Sequence, residues 1–206
     1  MSTPSFVDAF SQQFTLDPAH TALLIIDMQN ATGNRHMGLG ELLAEQGNSA
    51  SAEYRFDRIE QLLIPNIQKL IEGFRAAGAS IIWITYGANA RDASDAPPHI
   101  APIIKATNNI AGQPEHEVVD ALKPGPDDLV LNKTTQGAFR STALDSALRA
   151  LGVTTVVSTG VSTNNCVAMT SMEACDLQYQ VVVASDGTGT DSEDMQQATL
   201  TMLKRL

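Results

Sequence analysis

Three side chains in this 206-residue sequence have the types needed for covalent carbonyl chemistry: Asp27, Lys133 and Cys166. Cys166 lies in Gly160-Val161-Ser162-Thr163-Asn164-Asn165-Cys166-Val167, after an apolar, β-branched run (153–159) and before a helix-like run (167–177). A sulfur placed where a strand turns into a helix feels the partial positive charge of the helix N-terminus, which favours thiolate over thiol. Backbone N–H groups in such a turn can also face a developing oxyanion. A neighbouring lysine would favour the thiolate further, and a carboxylate could accept the thiol proton and later activate water. Each residue alone has a plainer reading: the cysteine as core, the aspartate as a cap, the lysine as a solvated charge. Their placement argues for chemistry. Each follows a strand-like run, Asp27 after 22–26, Lys133 after 128–132 and Cys166 after 153–159. In open α/β sheets, ligands bind beyond the carboxyl ends of the strands.

The elements that must hold these groups alternate strand and helix. That alternation predicts a three-layer α/β/α sandwich with a mostly parallel, Rossmann-like sheet of five or six strands. Residues 22–26 suit a central strand covered on both faces. Residues 80–85 form the second strand and 180–184 the fifth, which Ser185-Asp186-Gly187 is expected to close, Asp186 fixing the loop. Ile67, Leu70, Ile71 and Phe74 recur at helical spacing after Pro65, which predicts a helix whose first turn holds that proline and which stops at Gly78. Leu144, Leu148 and Leu151 predict another, stopped by Gly152. Thr190 and Glu193 have capping-box spacing for a last helix with Met195, Ala198, Met202 and Leu206 on one face. Stretches 31–51 and 87–113 break this rhythm, and loops of that length serve as lids, binding loops or subunit contacts. Nothing divides the chain, so 1–206 reads as a single domain.

Bulk properties exclude several classes. A net charge of −10 argues against nucleic-acid or anionic-membrane surfaces, which need basic patches. No apolar run approaches a membrane span, and residues 1–16 lack a basic segment followed by an apolar one, so the expected location is cytoplasmic. Two cysteines give no disulfide framework. If Cys166 and Cys175 share a helix, they stand roughly 13 Å apart, too far to bridge, and Cys175 is expected in the core.

The motifs "LLIIDMQN", "NKTTQGAF" followed by "LDSALRALGV", and "STGVSTNNCV" followed by "EACDLQYQVVVASDGT" resemble those of the isochorismatase-like cysteine hydrolases, in order, from about residue 22 to the end. The resemblance implies an Asp–Lys–Cys triad on Asp27, Lys133 and Cys166. It also implies a cis peptide at Val161–Ser162 and an oxyanion hole formed by the Ser162 and Cys166 N–H groups. The implied reaction is two-step nucleophilic hydrolysis through a thioester-type intermediate.

Departures within the family narrow this. Members that hydrolyse the vinyl ether of isochorismate lack the nucleophilic cysteine, so its presence favours the amidohydrolase branch, which acts on carbamoyl, ureido or small monoamide compounds. Metal-dependent members carry an Asp with two closely spaced histidines after the second strand. Here "YGANARDASDAPPHI" offers only His99, and His20, His36 and His116 are scattered, so neither a metal nor any other cofactor is expected. Tyr86, Gln136, Phe139 and Arg140 are candidate substrate contacts. Alternation makes Tyr86 a better pocket wall than Trp83. Arg140 could grip a carboxylate bidentately, or be a solvated or ion-paired helix-start residue; Gln136 could bind substrate or orient the loop. Gln29 and Asn30 are expected to orient the loop after Asp27, and Asn164 to hold the Cys166 turn.

The expected partner is a small amide or ureido substrate. Relatives usually add a strand after the last helix, whereas this sequence stops within that helix. The resulting open edge predicts a homo-oligomer. Two other functions compete: vinyl ether hydrolysis, with Asp27 protonating the substrate and Cys166 incidental, and a silent relative that binds a small molecule or a protein.

Overall fold

The structure, a computed structural model, describes residues 14–206. Residues 1–13, on which the expected absence of a leader and the N-terminal part of the expected domain fall, lie outside the described residues. Five strands form one sheet in the order β3-β2-β1-β4-β5: β1 Thr21–Ile26, β2 Ser80–Tyr86, β3 Leu129–Lys133, β4 Thr155–Val161 and β5 Gln180–Gly189. Every neighbouring pair is parallel. The period-2 geometry of β1 explains why its run is continuously apolar. Leu23 and Ile25 enter one core with Ile59, Leu63, Ile67 and Trp83, while Ala22, Leu24 and Ile26 enter the other with Leu144, Leu148 and Ala174. A sheet buried on both faces by helices is the three-layer sandwich expected.

β1 and β4 approach closely at Gly160, whose φ is +103° and where a Cβ would collide with the Ile26 carbonyl. This glycine lets the strand carrying Cys166 lie against the strand carrying Asp27.

The helix expected to begin near Pro65 starts earlier. Glu53–Arg58 runs through a wide turn, Ile59–Leu63, into Ile64–Ala76. Proline lacks an N–H and clashes with the carbonyl four residues back. The π-type turn immediately upstream relieves that clash, so Pro65 marks an interruption instead of a start.

Two other expectations fail in detail. β5 passes through Ser185-Asp186-Gly187 to Gly189, with a register irregularity opposite Ser158 and Gly160. The last helix, Glu193–Leu203, is capped by Ser192, whose Oγ accepts the Met195 N–H at 3.3 Å, while Thr190 donates its hydroxyl to Asn164. That helix buries Gln196, Thr199 and Leu203, leaving Met195 and Met202 exposed. Cys175 is half-buried near the end of Ala168–Asp176.

Candidate active site

Asp27 is the first residue beyond β1. Its φ of 54° is left-handed, a conformation aspartate tolerates better than most residues. Its N–H donates to the Ile84 carbonyl at 2.8 Å, and its own carbonyl accepts the Thr32 hydroxyl at 3.0 Å. Lys133 ends β3, in register with Tyr86. β2 lies between β3 and β1, so Lys133 must reach across two strand spacings, about 9.6 Å. It does so over the Tyr86 ring, Nζ standing 4.1 Å from the ring centroid and 2.9 Å from Asp27 Oδ2. The side chain of Lys133 is fully buried.

Cys166 is presented from the other side of β1. β4 ends at Val161, the Val161–Ser162 peptide is cis, and a π-type turn, Thr163–Val167, leads into Ala168–Asp176. The helical path thus begins at Thr163, and Cys166 lies inside its first turn. The Ser162 carbonyl accepts the N–H groups of Asn165 at 3.0 Å and Val167 at 3.2 Å. Thr163 donates to Gln196 at 2.7 Å, Asn164 accepts from Thr190, and Ser171 donates to Ser158 on β4 at 3.0 Å. Asn164 therefore holds the turn, as expected.

The charges settle in a way the sequence did not suggest. Burial pushes the Asp27 carboxyl above its ordinary range, against the pull of Lys133. Burial is the largest single effect on Lys133 and opposes its charge, but the negative charge available to Asp27 and Cys166 together outweighs it and holds the ammonium above its ordinary range. Cys166, 7% exposed, is pushed up to about 12 by burial and by the Asp27 charge, which together exceed the effect of Lys133. The bias toward thiolate expected from the helix N-terminus and Lys133 is thus opposed and exceeded, because desolvation of the sulfur dominates. Asp27 Oδ1 and the Tyr86 hydroxyl are buried without a hydrogen-bond partner among the described residues. Burial first, then the negative charge available to Cys166 and Asp27, raises the Tyr86 phenol out of its ordinary range. Unpaired buried polar atoms are rare, and these two are groups a substrate could satisfy.

The remaining candidates separate. Gln29 is a clasp: it accepts the Tyr86 N–H at 2.7 Å and donates to the carbonyls of His116 at 2.7 Å and Tyr86 at 3.2 Å. Asn30 donates to the Pro114 carbonyl at 3.0 Å. Trp83 faces the helix layer and donates to Asp128 at 2.8 Å, leaving Tyr86 beside the triad. Gln136 is half-buried in the loop after Lys133. Phe139 packs against the apolar cluster that also contains Cys166, while Arg140 is exposed. Ala138 and Phe139 donate their N–H groups to Thr170 and Glu173, both at 3.2 Å, which carries the segment down the helix away from Cys166. Phe139 packs on Tyr179, 6.0 Å between ring centroids, at the start of β5.

Sequence reasoning missed Arg55. It lies on Glu53–Arg58, is 5% exposed, and donates to Ser162 Oγ at 2.8 Å. Reading Pro65 as a helix start hid this upstream turn, whose alternating charges resemble a solvated face. Among the described residues no group of three or more His, Cys, Asp and Glu is arranged to hold a metal, and no helix is long and apolar enough to cross a membrane.

Comparison with known proteins adds three findings. The family described as "Isochorismatase domain" matches residues 21–206. The ureidoacrylate amidohydrolase RutB of Enterobacter sp. (strain 638) is 32% identical over 191 residues, covering 86% of this chain and 78% of that protein. Among solved structures, a cysteine hydrolase from Pseudomonas syringae pv. phaseolicola matches with a TM-score of 0.75 at 25% identity, covering 99% of this chain and 91% of that one. The N-carbamoylsarcosine amidase of Thermoplasma acidophilum matches with a TM-score of 0.66 at 25% identity, covering 90% of this chain and 92% of that one.

Proposed function

The chain belongs to the isochorismatase family of hydrolases, and from that premise we propose that it hydrolyses a small carbamoyl, ureido or amide C–N bond through a covalent bond to Cys166. The observation that carries this reading is the division of labour at Asp27. Oδ2 is held by Lys133 at 2.9 Å, Oδ1 is buried without a hydrogen-bond partner among the described residues, and the Asp27 carboxyl acts on the titration of Cys166. A carboxylate raised by burial is a better base than an exposed one, and it faces a thiol that is neutral at rest.

In this reading the substrate carbonyl enters beside Sγ. Asp27 Oδ1 accepts the thiol proton as Sγ bonds to the carbonyl carbon. The carbonyl oxygen becomes an oxyanion, received by the N–H groups of Ser162 and Cys166. The C–N bond then breaks, the proton passes from Asp27 to the departing nitrogen, and a thioester or thiocarbamate remains. Asp27 next deprotonates water, which attacks that carbon; the C–S bond breaks and the sulfur regains a proton. Lys133 stays charged throughout, orienting Asp27 and balancing its charge. The relatives named for ureidoacrylate and N-carbamoylsarcosine support a ureido or carbamoyl substrate.

The test is ammonia release from a panel of small carbamoyl, ureido and dicarboxylic-monoamide compounds. Wild type is expected to release ammonia from at least one, and Cys166→Ala to abolish turnover while remaining folded. Ammonia release that survives Cys166→Ala sinks the covalent mechanism and favours direct attack on the carbonyl by water that Asp27 deprotonates.

A further inference from the structure

Besides Lys133, the described residues bury one other cation, Arg55, and it joins three strand ends. Its Nε donates to the Thr32 carbonyl at 3.0 Å, in the turn after β1. Its Nη1 donates to Ser162 Oγ at 2.8 Å, after β4, and to Asp191 Oδ1 at 2.9 Å, after β5. Thr32 in turn donates its hydroxyl to the carbonyl of Asp27 at 3.0 Å. The turn that holds the base and the residue assigned to the oxyanion thus share one planar group. A guanidinium is a rigid fork, so the angle between its contacts is fixed by its plane, which a lysine ammonium does not reproduce. Asp191 is largely exposed while the Arg55 side chain is 6% exposed, so the acid reaches in from the surface to hold the buried cation.

We infer that Arg55 is a positioning residue for the hydrolysis: it sets the spacing between the Asp27 turn and the Ser162 turn, with Asp191 holding its orientation. This rests on the proposed mechanism, because Ser162 matters to rate only if its N–H receives the oxyanion. Arg55 touches neither the sulfur nor the Asp27 carboxylate in a hydrogen bond. Its effect should therefore fall on kcat through geometry. Its charge adds a smaller effect, helping to keep Asp27 ionised.

Two variants separate geometry from charge. Arg55→Lys keeps the charge and loses the fork; Arg55→Met loses both. On the best compound of the panel, Arg55→Lys is expected to lower kcat at least about tenfold with KM within about threefold. The acid limb of its kcat/KM profile should stay in place. Arg55→Met should lower kcat at least as far and move that limb slightly to higher pH, because one of the cations that oppose protonation of Asp27 is then gone, while Lys133 remains. Ser162→Ala removes the Oγ contact and keeps the N–H, so adding it to Arg55→Lys should cost little more. Hydrogen exchange measured by mass spectrometry should quicken in both 27–33 and 160–166, with 80–86 unchanged. A kcat within twofold of wild type in Arg55→Lys overturns the inference, as does fully additive loss in the double variant. If wild type hydrolyses no compound in the panel, the functional reading fails by itself. Exchange then decides the coupling: quickening in both turns supports it, and quickening confined to 53–58 overturns it.

Discussion

Cys166 is a neutral thiol at rest because burial outweighs the cation beside it, and that state makes a prediction. With a pKa pushed up to about 12, the thiolate fraction rises about tenfold per pH unit below that value. Alkylation of Cys166 by iodoacetamide, followed by peptide mass spectrometry, should therefore climb from pH 7 to pH 10 without levelling. A plateau near neutrality would show that Lys133 and the helix N-terminus prevail over desolvation after all. Tyr86 is the second residue to test. Its hydroxyl is buried without a partner while its ring supports the Lys133 ammonium. Phenylalanine keeps the ring and removes the hydroxyl. Tyr86→Phe should raise KM by roughly 10-fold with an unchanged melting temperature, the loss of about one hydrogen bond to substrate. An unchanged KM would remove Tyr86 from the substrate contacts.

The strand that delivers Lys133 is an edge strand, so something must fix it. Asp128, immediately before β3, accepts the Gly125 N–H at 2.8 Å, Trp83 Nε1 at 2.8 Å and Arg75 Nη2 at 2.7 Å. It thereby ties the β3 edge to β2 and to the helix Ile64–Ala76. Burial works to raise this carboxyl, but the three donors together hold it below its ordinary 3.8. A carboxyl depressed in the fold contributes stability that is present above its unfolded pKa and lost as pH falls through the lower folded value. Asp128→Ala leaves the Trp83 N–H buried without its acceptor and should destabilise the protein by about 1–3 kcal/mol at pH 7. Chemical denaturation should show that gap narrowing as pH drops below 3.8. A gap independent of pH would mean that Asp128 acts through packing alone. The helices were legible to different degrees. Leu144 and Leu148 pack where their periodicity placed them while Leu151, past the helix end, is exposed, whereas the Pro65 helix extends backward through a wide turn, since a proline can be accommodated by rearranging the hydrogen bonds behind it.

At the scale of the molecule, the described residues leave both sheet edges incompletely covered. Leu129 and Val130 on β3 are 37% and 47% exposed. Along β5 a cavity of about 1160 Å³ is lined by Val181, Val183, Leu200 and Leu203. Open edges and exposed apolar side chains favour association with a second copy. Sedimentation velocity at micromolar concentration should give a mass at least twice the 22.0 kDa of the chain. A monomer at that mass, unchanged with concentration, would refute the oligomer.

The sequence by itself determined the alternation of strand and helix, the two-sided burial of β1, and the strand-end positions of Asp27, Lys133 and Cys166. These follow from local periodicity and from where each apolar run stops. Only the tertiary structure decided that β2 separates Lys133 from Asp27, so that the lysine crosses Tyr86 to reach its partner. It alone brought Arg55 against Ser162, and it alone sent Phe139 to Tyr179. The thiol's protonation was decided there too. Strand order, desolvation and contacts between residues about a hundred positions apart depend on how the layers close, and no local pattern encodes that closure.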